Sequence, residues 1–204
     1  MFQKRNIKRI AITICLVLTA VSNSFVANAA TKYPSFATKN FSGSGDDVVL
    51  YEISKIALVT FSCESCSDNT VLSTDGAERL LVNEIGPHTG TYLINSRTGS
   101  LTTSFEINAD APWTLSISSV NTAKKVSGKT ISGAGSTILN VTSKFRAMKI
   151  KGISDDNFVV YNLQGSYKNL LINEIGSYLG TVRVTTPGLV QIISNGTWQI
   201  TFVS

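Results

Sequence analysis

The 204-residue chain is poor in charge, since 15% of its residues are charged and 43% are hydrophobic. Long blocks of like charge are absent, and together with the high apolar content this excludes a disordered charged tail. The formal net charge is +5, but Lys4, Arg5, Lys8 and Arg9 precede one apolar stretch. Without these four bases, 14 Lys and Arg stand against 13 Asp and Glu. This balance excludes a nucleic-acid-binding protein that works through a basic patch.

The chain also has only one histidine, His88, and contains no G-x-S-x-G, zinc-protease or phosphate-loop motif. Catalysis of the Ser-His-Asp or Cys-His kind would depend on this residue, which follows Pro87 in an expected loop. The carboxylates show no pair that stands out as a glycosidase site. We therefore expect a protein without enzymatic activity. A hydrolytic enzyme that uses the His88 loop is one alternative.

Long apolar runs are missing after the N-terminal region. The one such run, residues 10–21, is shorter than the roughly 20 residues that a membrane-spanning helix needs. It follows basic residues and precedes Ala27-Asn28-Ala29, which fits the small-residue pattern of a signal-peptide cleavage site. Residues 1–29 are thus predicted to be a secretory signal peptide. The mature protein is expected to be secreted, with no membrane span.

Cysteine is scarce too, and only Cys63 and Cys66 follow the predicted signal peptide. In an oxidising compartment a pair this close predicts a local disulfide. A thioredoxin-like redox site places C-x-x-C before a helix, whereas here both flanks are predicted to be strands. A zinc site needs about four ligands, and beside these two thiols the chain offers only His88. A structural disulfide is the prediction, and a redox enzyme that uses these cysteines is a second alternative.

The strongest pattern that is present is an internal duplication. Residues 80–91 recur as residues 170–181, and both copies contain Leu-Leu-x-Asn-Glu-Ile-Gly followed by Gly-Thr. The segment Phe41-Ser-Gly-Ser-Gly recurs as Ile131-Ser-Gly-Ala-Gly, again 90 residues later. Repeats of about 80 residues are large enough to close their own cores. The predicted parts of the mature chain are an N-terminal linker (30–40), module 1 (41–119), a second linker (120–125) and module 2 (126–204).

Within each module the apolar residues alternate with polar ones. Trp113, Leu115 and Ile117 share one parity, and Trp198 opens the matching strand at the end of module 2. This period of two predicts half-buried strands, with both tryptophans turned inward. About seven short strands per module, without a convincing helix, predict an all-β fold. We expect two tandem antiparallel β-sandwich domains, each Ig-like or jelly-roll-like.

These motifs carry a resemblance to a group of known proteins. The Gly-x-Gly-Asp-Asp opening, the middle Asp-Asn, Leu-Leu-x-Asn-Glu-Ile-Gly, Gly-Thr and the terminal Trp strand together resemble tandem modules of secreted and surface proteins of bacteria. The resemblance covers nearly all of the mature chain. It implies a fold and a location more than an activity. Module 2 departs from the pattern, because Ser136 and Thr137 stand where module 1 has Asp46 and Asp47.

Oxygen-bearing side chains in the repeated motifs suggest a cation site. Asp46, Asp47, Asn83 and Glu84 are candidate ligands in module 1 for calcium, which takes 6–8 oxygen ligands. The alternative is that the motif is turn structure, with the asparagine capping the turn and Ile85 in the core. No other cofactor is expected. Candidate sugar-contacting aromatics are Tyr92, Tyr161, Tyr167 and Tyr178.

The two copies differ most in charge. Residues 40–119 contain three bases and ten acids, while residues 120–204 contain nine bases and three acids. The acidic module 1 and the basic module 2 are predicted to attract each other, within one chain or head to tail between chains. At a spacing of 90 residues, Lys151 replaces Phe61, which predicts an apolar strip on module 1 that module 2 lacks. The predicted function is binding of an extracellular polysaccharide or protein, or an accessory structural role, without catalysis.

Overall fold

A computed structural model describes residues 33–165 and 167–204, so that the predicted signal peptide lies outside the described residues. The described part of the chain contains seventeen β-strands and a single-turn 3₁₀ helix, Val120–Thr122. The first eight strands are β1 (Lys39–Ser44), β2 (Asp47–Ile53), β3 (Ala57–Cys63), β4 (Asn69–Thr74), β5 (Leu80–Ile85), β6 (His88–Ile94), β7 (Thr102–Asn108) and β8 (Pro112–Ser119). The others are β9 (Lys124–Val126), β10 (Thr130–Ala134), β11 (Thr137–Val141), β12 (Ala147–Ile153), β13 (Asn157–Gln164), β14 (Tyr167–Ile175), β15 (Tyr178–Arg183), β16 (Gly188–Ile193) and β17 (Thr197–Val203). The predicted all-β class is confirmed.

The strands form four sheets, two in each module. Module 1 has the orders β1-β8-β3-β6 and β2-β7-β4-β5, and module 2 has β10-β17-β12-β15 and β14-β13-β16-β11-β9. In each module the first strand of the repeat pairs with the last one, which is the jelly-roll arrangement of eight strands rather than the immunoglobulin arrangement. All neighbours are antiparallel except β9, which pairs in parallel with β11. Part of the predicted linker 120–125 is therefore a 3₁₀ helix and a sheet edge.

Each module has its own apolar core between its two sheets. Phe61, Phe105 and Leu115 are fully buried in module 1, as are Phe158 and Ile200 in module 2. Alternation along each strand sends these side chains inward, and each contributes roughly 1.5–3 kcal/mol through its burial. These cores are the main source of stability in each sandwich.

Strand pairing also fixes the correspondence between the two copies. Phe61 lies opposite Leu115, and Ile150 lies opposite Ile200, the counterpart of Leu115 in the repeat. Phe61 therefore corresponds to Ile150 rather than to Lys151, and both side chains are buried. The predicted apolar strip around Phe61 is wrong, because a one-residue shift in strand register moves every side chain to the other face. Lys151 points outward and is exposed.

The two modules meet through the outer faces of two sheets. A separate apolar cluster forms where these faces meet. Module 1 contributes Leu58 and Leu93 from the outer side of β3 and β6. Module 2 contributes Ile138, Leu163 and Leu189 from the outer side of β11, β13 and β16. All five side chains are buried. This cluster is formed by apolar contact between module 1 and module 2.

Polar groups at the edge of this contact add little charge attraction. The backbone N–H of Thr91 donates to the carbonyl oxygen of Ser136 at 2.9 Å. Burial raises the pKa of Glu84 in module 1, and the carboxylates of Asp156 and Asp155 in module 2 raise it further. Like charges thus lie close together here. The predicted attraction between oppositely charged modules stays a prediction, both within one chain and between chains.

Candidate functional site

The repeated glycines and tryptophans of each module form a packing unit. A Cβ atom on Gly43 would lie 2.4 Å from Cζ2 of Trp113, so the indole lies directly on the glycine backbone. The indole N–H of Trp113 donates to the carbonyl oxygen of Gly45 at 2.9 Å. Trp198 makes the same two contacts in module 2. Both tryptophans are buried, as predicted, and do not offer their faces to a sugar.

The repeated Asn-Glu-Ile-Gly is a strand end followed by a turn. Gly86 has a φ of +89°, and its N–H donates to the carbonyl oxygen of Asp68 at 2.8 Å. Gly176 has a φ of +93° and makes the equivalent bond in module 2. The prediction that the isoleucine fills the core is wrong, since Ile85 is 81% exposed and Ile175 85% exposed. The glycine of the motif thus provides the backbone conformation of the turn, and the isoleucine before it lies on the surface in both modules.

The four candidate calcium ligands are not brought together. Asp47 lies on β2 and Asn83 and Glu84 on β5, at opposite edges of one four-stranded sheet, about 14 Å apart at ordinary strand spacing. A carboxylate oxygen of Asp46 accepts a hydrogen bond from the N–H of Ala109 at 3.0 Å. Among residues 33–165 and 167–204, no group of three or more His, Cys, Asp and Glu side chains could hold a metal ion. The predicted set does not form a coordination sphere in this structure.

The cysteines and the histidine lie beside each other but are already engaged. Cys63 and Cys66 form the predicted disulfide, and both residues are buried. The expectation that His88 lies in a loop is wrong, since it is the first residue of β6 and the cross-strand partner of Cys63. Its Nε2 atom is 2.8 Å from the hydroxyl oxygen of Tyr92, and burial lowers its pKa. In this structure the two thiols are joined in a disulfide and the imidazole is hydrogen-bonded to a phenol, and the enzymatic alternatives stay predictions.

The four candidate tyrosines lie in different surroundings. Tyr92 is only 3% exposed, and burial, the largest cause, raises its pKa to about 12, so the prediction that it contacts a sugar is wrong. Its parity along β6 turns it into the core of module 1. Tyr178 is half-buried and stacks on Phe158, with ring centroids 6.2 Å apart. Tyr161 and Tyr167 remain, and they line the same cleft.

This cleft lies between the two modules and has a volume of about 530 Å³. Tyr161, Tyr167 and Lys168 line it from β13 and β14 of module 2. Glu78 and Arg97 line it from two loops of module 1. Tyr167 is 72% exposed, which makes its ring accessible to a ligand. The sequence contained no signal for this site beyond the tyrosines themselves, because the site exists only where the modules meet.

The charges of the cleft are predominantly positive. The Lys168 ammonium group lies 4.2 Å from the centroid of the Tyr161 ring. Burial lowers the pKa of Lys168, and the nearby Arg97 cation lowers it further. The Glu78 carboxylate raises the pKa of Lys168 and so partly offsets both effects. The cation over the ring makes a favourable cation–π contact with Tyr161.

Glu78, the acidic residue of the cleft, holds a neighbouring loop in place through hydrogen bonds. Its carboxylate accepts hydrogen bonds from the N–H of Asn95 at 2.9 Å and from the hydroxyl of Ser96 at 2.6 Å. Asn95 has a φ of 54°, and its side-chain amide donates to the carbonyl oxygen of Ile53 at 2.8 Å. These bonds fix the loop that carries Arg97. The cleft is therefore preformed on the side of module 1.

Two other depressions, of about 550 and 500 Å³, lie at equivalent places beside Trp113 and Trp198. Glu64 lines the first and Lys151 lines the second, so the two copies differ in charge. A ligand common to both modules is not indicated by such linings. Within the described ranges, no helix has the length and apolar character needed to cross a bilayer.

Comparison with known proteins does not assign the cleft. No protein-family model matches the chain, and no curated protein shows significant similarity to it. The arrangement that the residues do form is a preformed groove with one exposed aromatic ring, one half-buried ring and two cations. Such a groove can stack on a flat apolar surface and bind anionic or hydroxyl groups along its rim.

Proposed function

We propose that the protein is secreted and binds an extracellular polysaccharide, without catalysis, in the cleft between its two modules. The observation that carries this proposal is the pair Tyr161 and Tyr167 beside Lys168 in one groove. Ligand sites are typically concave, preformed and lined by aromatic side chains with a few placed polar groups. The cleft fits that description better than the depressions beside the tryptophans do.

The chemistry of the groove favours an acidic polysaccharide. A tyrosine ring presents an apolar face on which the C–H face of a sugar ring can lie, and Tyr167 is the more exposed of the two. Arg97 and Lys168 can donate charge-assisted hydrogen bonds to carboxylate or sulfate groups, which are about twice as strong as neutral ones. Since Glu78 is engaged by its own loop, it opposes an anionic ligand less than a free carboxylate would.

Secretion is part of the same proposal and is supported by two features. Residues 1–29 have the basic, apolar and small-residue segments of a signal peptide. The disulfide between Cys63 and Cys66 is of the kind that persists in oxidising compartments. Detection of a chain that starts near Ala30 in the medium of producing cells would test this part.

Affinity electrophoresis of the mature chain tests the binding site. We expect gels containing polygalacturonate, an acidic polysaccharide, to retard the protein more than gels containing neutral dextran. Tyr167→Ala should weaken retention at least tenfold, because loss of a central aromatic contact costs upwards of about 1.4 kcal/mol. Ile85→Ala is the matched control, since Ile85 is also largely exposed but lies outside the cleft.

A charge variant separates stacking from ion binding. Arg97→Ala should reduce retention in polygalacturonate, whereas Lys144→Ala, which removes an exposed cation far along the chain from the cleft, should leave it unchanged. Equal retention of the parent protein, Tyr167→Ala and Arg97→Ala would refute the cleft as the polysaccharide site. Capture of a secreted protein in place of any polysaccharide would replace the ligand class.

A further inference from the structure

The contact inside the chain uses only one outer sheet face of each module. Module 1 contributes the outer face of β1-β8-β3-β6, and module 2 contributes that of β14-β13-β16-β11-β9. The outer faces of β2-β7-β4-β5 in module 1 and of β10-β17-β12-β15 in module 2 carry exposed residues, among them Leu50 and Leu179. Because both modules have the same fold, these two faces are the counterparts of the two that already dock.

The two exposed faces have opposite charge. On the outer side of β2-β7-β4-β5 the strands carry Glu52 and Glu106 and no Lys or Arg, and we call this side the acidic face; Asp47 and Glu84 share the inward parity of Val49 and Val82 and are not part of it. The strands of β10-β17-β12-β15 contain Lys149, Lys151 and Arg183 and no Asp or Glu, and their outer side is the basic face. Glu106, both lysines and Arg183 are exposed. The charge difference between the modules is thus concentrated on surfaces that can meet.

The repeat shows what replaced the apolar docking residues on the basic face. Gly90 pairs with Phe61, and Gly180 pairs with Ile150, so the two glycines are equivalent. Three residues further on, Leu93 of the docked face therefore corresponds to Arg183 of the basic face. The docked face thus has an apolar leucine at this position, and the exposed basic face has a cationic arginine.

The acidic face shows the complementary change. Ile107 and Ile192 are equivalent core residues of β7 and β16, so buried Gln191 of the docked face corresponds to exposed Glu106. By the same register, Leu163 corresponds to Asp75. Positions that are apolar or neutral in the docked pair are thus basic on one exposed face and acidic on the other.

Asp75 is also held in its charged form. Its carboxylate accepts hydrogen bonds from the N–H groups of Thr103 and Ser104 at 2.8 and 3.0 Å, and another from the Thr103 hydroxyl. These bonds, the Thr103 hydroxyl first, lower the pKa of Asp75 to about 2. The negative charge on the acidic face is therefore present at neutral pH.

We propose that chains of this protein associate head to tail, with the basic face of one copy on the acidic face of the next. The contact repeats the sheet-to-sheet docking seen inside the chain, with ion pairs in place of its apolar anchors. Because the two faces differ, each copy keeps one face free after pairing, and the assembly grows into a row or closes into a ring. This proposal does not depend on polysaccharide binding, since the cleft is not part of either face.

Sedimentation velocity of the mature chain at different salt concentrations tests the proposal. We expect masses of two or more chains at about 0.02 M NaCl and of one chain at about 0.5 M, since exposed charges are screened over a few ångströms at high salt. A single-chain mass at both concentrations would overturn the proposal. So would association that does not change with salt.

Charge reversal on each face identifies the surfaces. Lys149→Glu combined with Lys151→Glu, and separately Glu106→Lys, should each leave a single-chain mass at low salt, because like charges then face each other. An equimolar mixture of the two variants should regain association, since each supplies the charge that the other lacks. A mixture that stays monomeric, while both variants are folded by circular dichroism, would refute the assignment of the faces.

Matched reversals away from the faces complete the experiment. Lys124→Glu combined with Lys144→Glu, and separately Glu64→Lys, change the net charge by the same amounts at exposed positions outside the two faces. These controls should associate as the parent chain does. If they dissociate as fully as the face variants, net charge rather than a docking surface controls the association, and the proposal fails.

Discussion

The indole of Trp113 on the backbone of Gly43 makes one substitution unusually informative. Gly43→Ala places a methyl group 2.4 Å from Cζ2 of Trp113, where carbon atoms normally approach to about 3.5–4.0 Å. The ring must therefore move by about 1 Å or more. It is fully enclosed by the core of module 1, and its N–H would lose the bond to the Gly45 carbonyl oxygen.

The expected loss of stability follows from these two effects. Overpacking of a core costs about 1–3 kcal/mol, and loss of the hydrogen bond adds about 1 kcal/mol. Gly43→Ala should thus lower the free energy of unfolding by about 2–4 kcal/mol. Gly128→Ala is the control, because its added methyl group meets nothing within 4 Å and its φ lies outside the left-handed region.

Urea unfolding followed by tryptophan fluorescence measures the difference. With a slope of about 2 kcal/mol per molar urea, the midpoint of Gly43→Ala should fall by about 1–2 M, while that of Gly128→Ala should stay or rise slightly. Gly133→Ala should behave as Gly43→Ala does, since Trp198 lies equally close to it. Equal midpoints for Gly43→Ala and Gly128→Ala would show that the indole contact is not tight and would refute the reasoning.

Two further substitutions test the histidine and the module contact. Burial lowers the pKa of His88 below its ordinary 6.5, so the unfolded chain takes up the proton first and stability should fall as the pH drops through 6.5. Between about pH 7.5 and about pH 5, the urea midpoint should therefore fall less in His88→Gln than in the parent protein. Parallel curves for the two proteins would contradict this. Leu189→Ala removes a fully buried side chain between the modules and should cost about 2–5 kcal/mol, with unfolding in two steps rather than one. Leu179→Ala, at an exposed position, should change stability by less than about 0.5 kcal/mol.

Strand alternation predicted much of the fold, because most strands bury one face. Trp113, Leu115 and Ile117 show the period of two, and the structure places all three in the core. Strand β1 shows no such alternation, since its Ser and Gly residues have low strand propensity and form a strand only through pairing with β8. The choice between jelly-roll and Ig-like order depends on pairing between distant strands, which alternation does not encode.

The candidate site was predicted in part. Tyr92 shares its parity with Ile94, and this signal could have placed it in the core. Ile85 shares its parity with exposed Asn83 rather than with buried Val82, so the alternation already pointed outward although the repeated isoleucine suggested a core role. The cleft around Tyr161 was beyond such reasoning, because its residues meet only through the docking of two modules.

The divergence of the two copies has a physical logic. If the two modules had identical faces, each would also expose a copy of the apolar surface that docks inside the chain. Separate chains would then associate through the residues equivalent to Leu58 and Leu93, and the assembly would keep growing. On the exposed faces, Arg183 stands at the position equivalent to Leu93, and Asp75 stands at the position equivalent to Leu163. Burying either charge in an apolar contact costs free energy unless the two opposite charges meet. The repeat has a matching pair of surfaces, and with these replacements the head-to-tail association that we propose would depend on charge and therefore on salt.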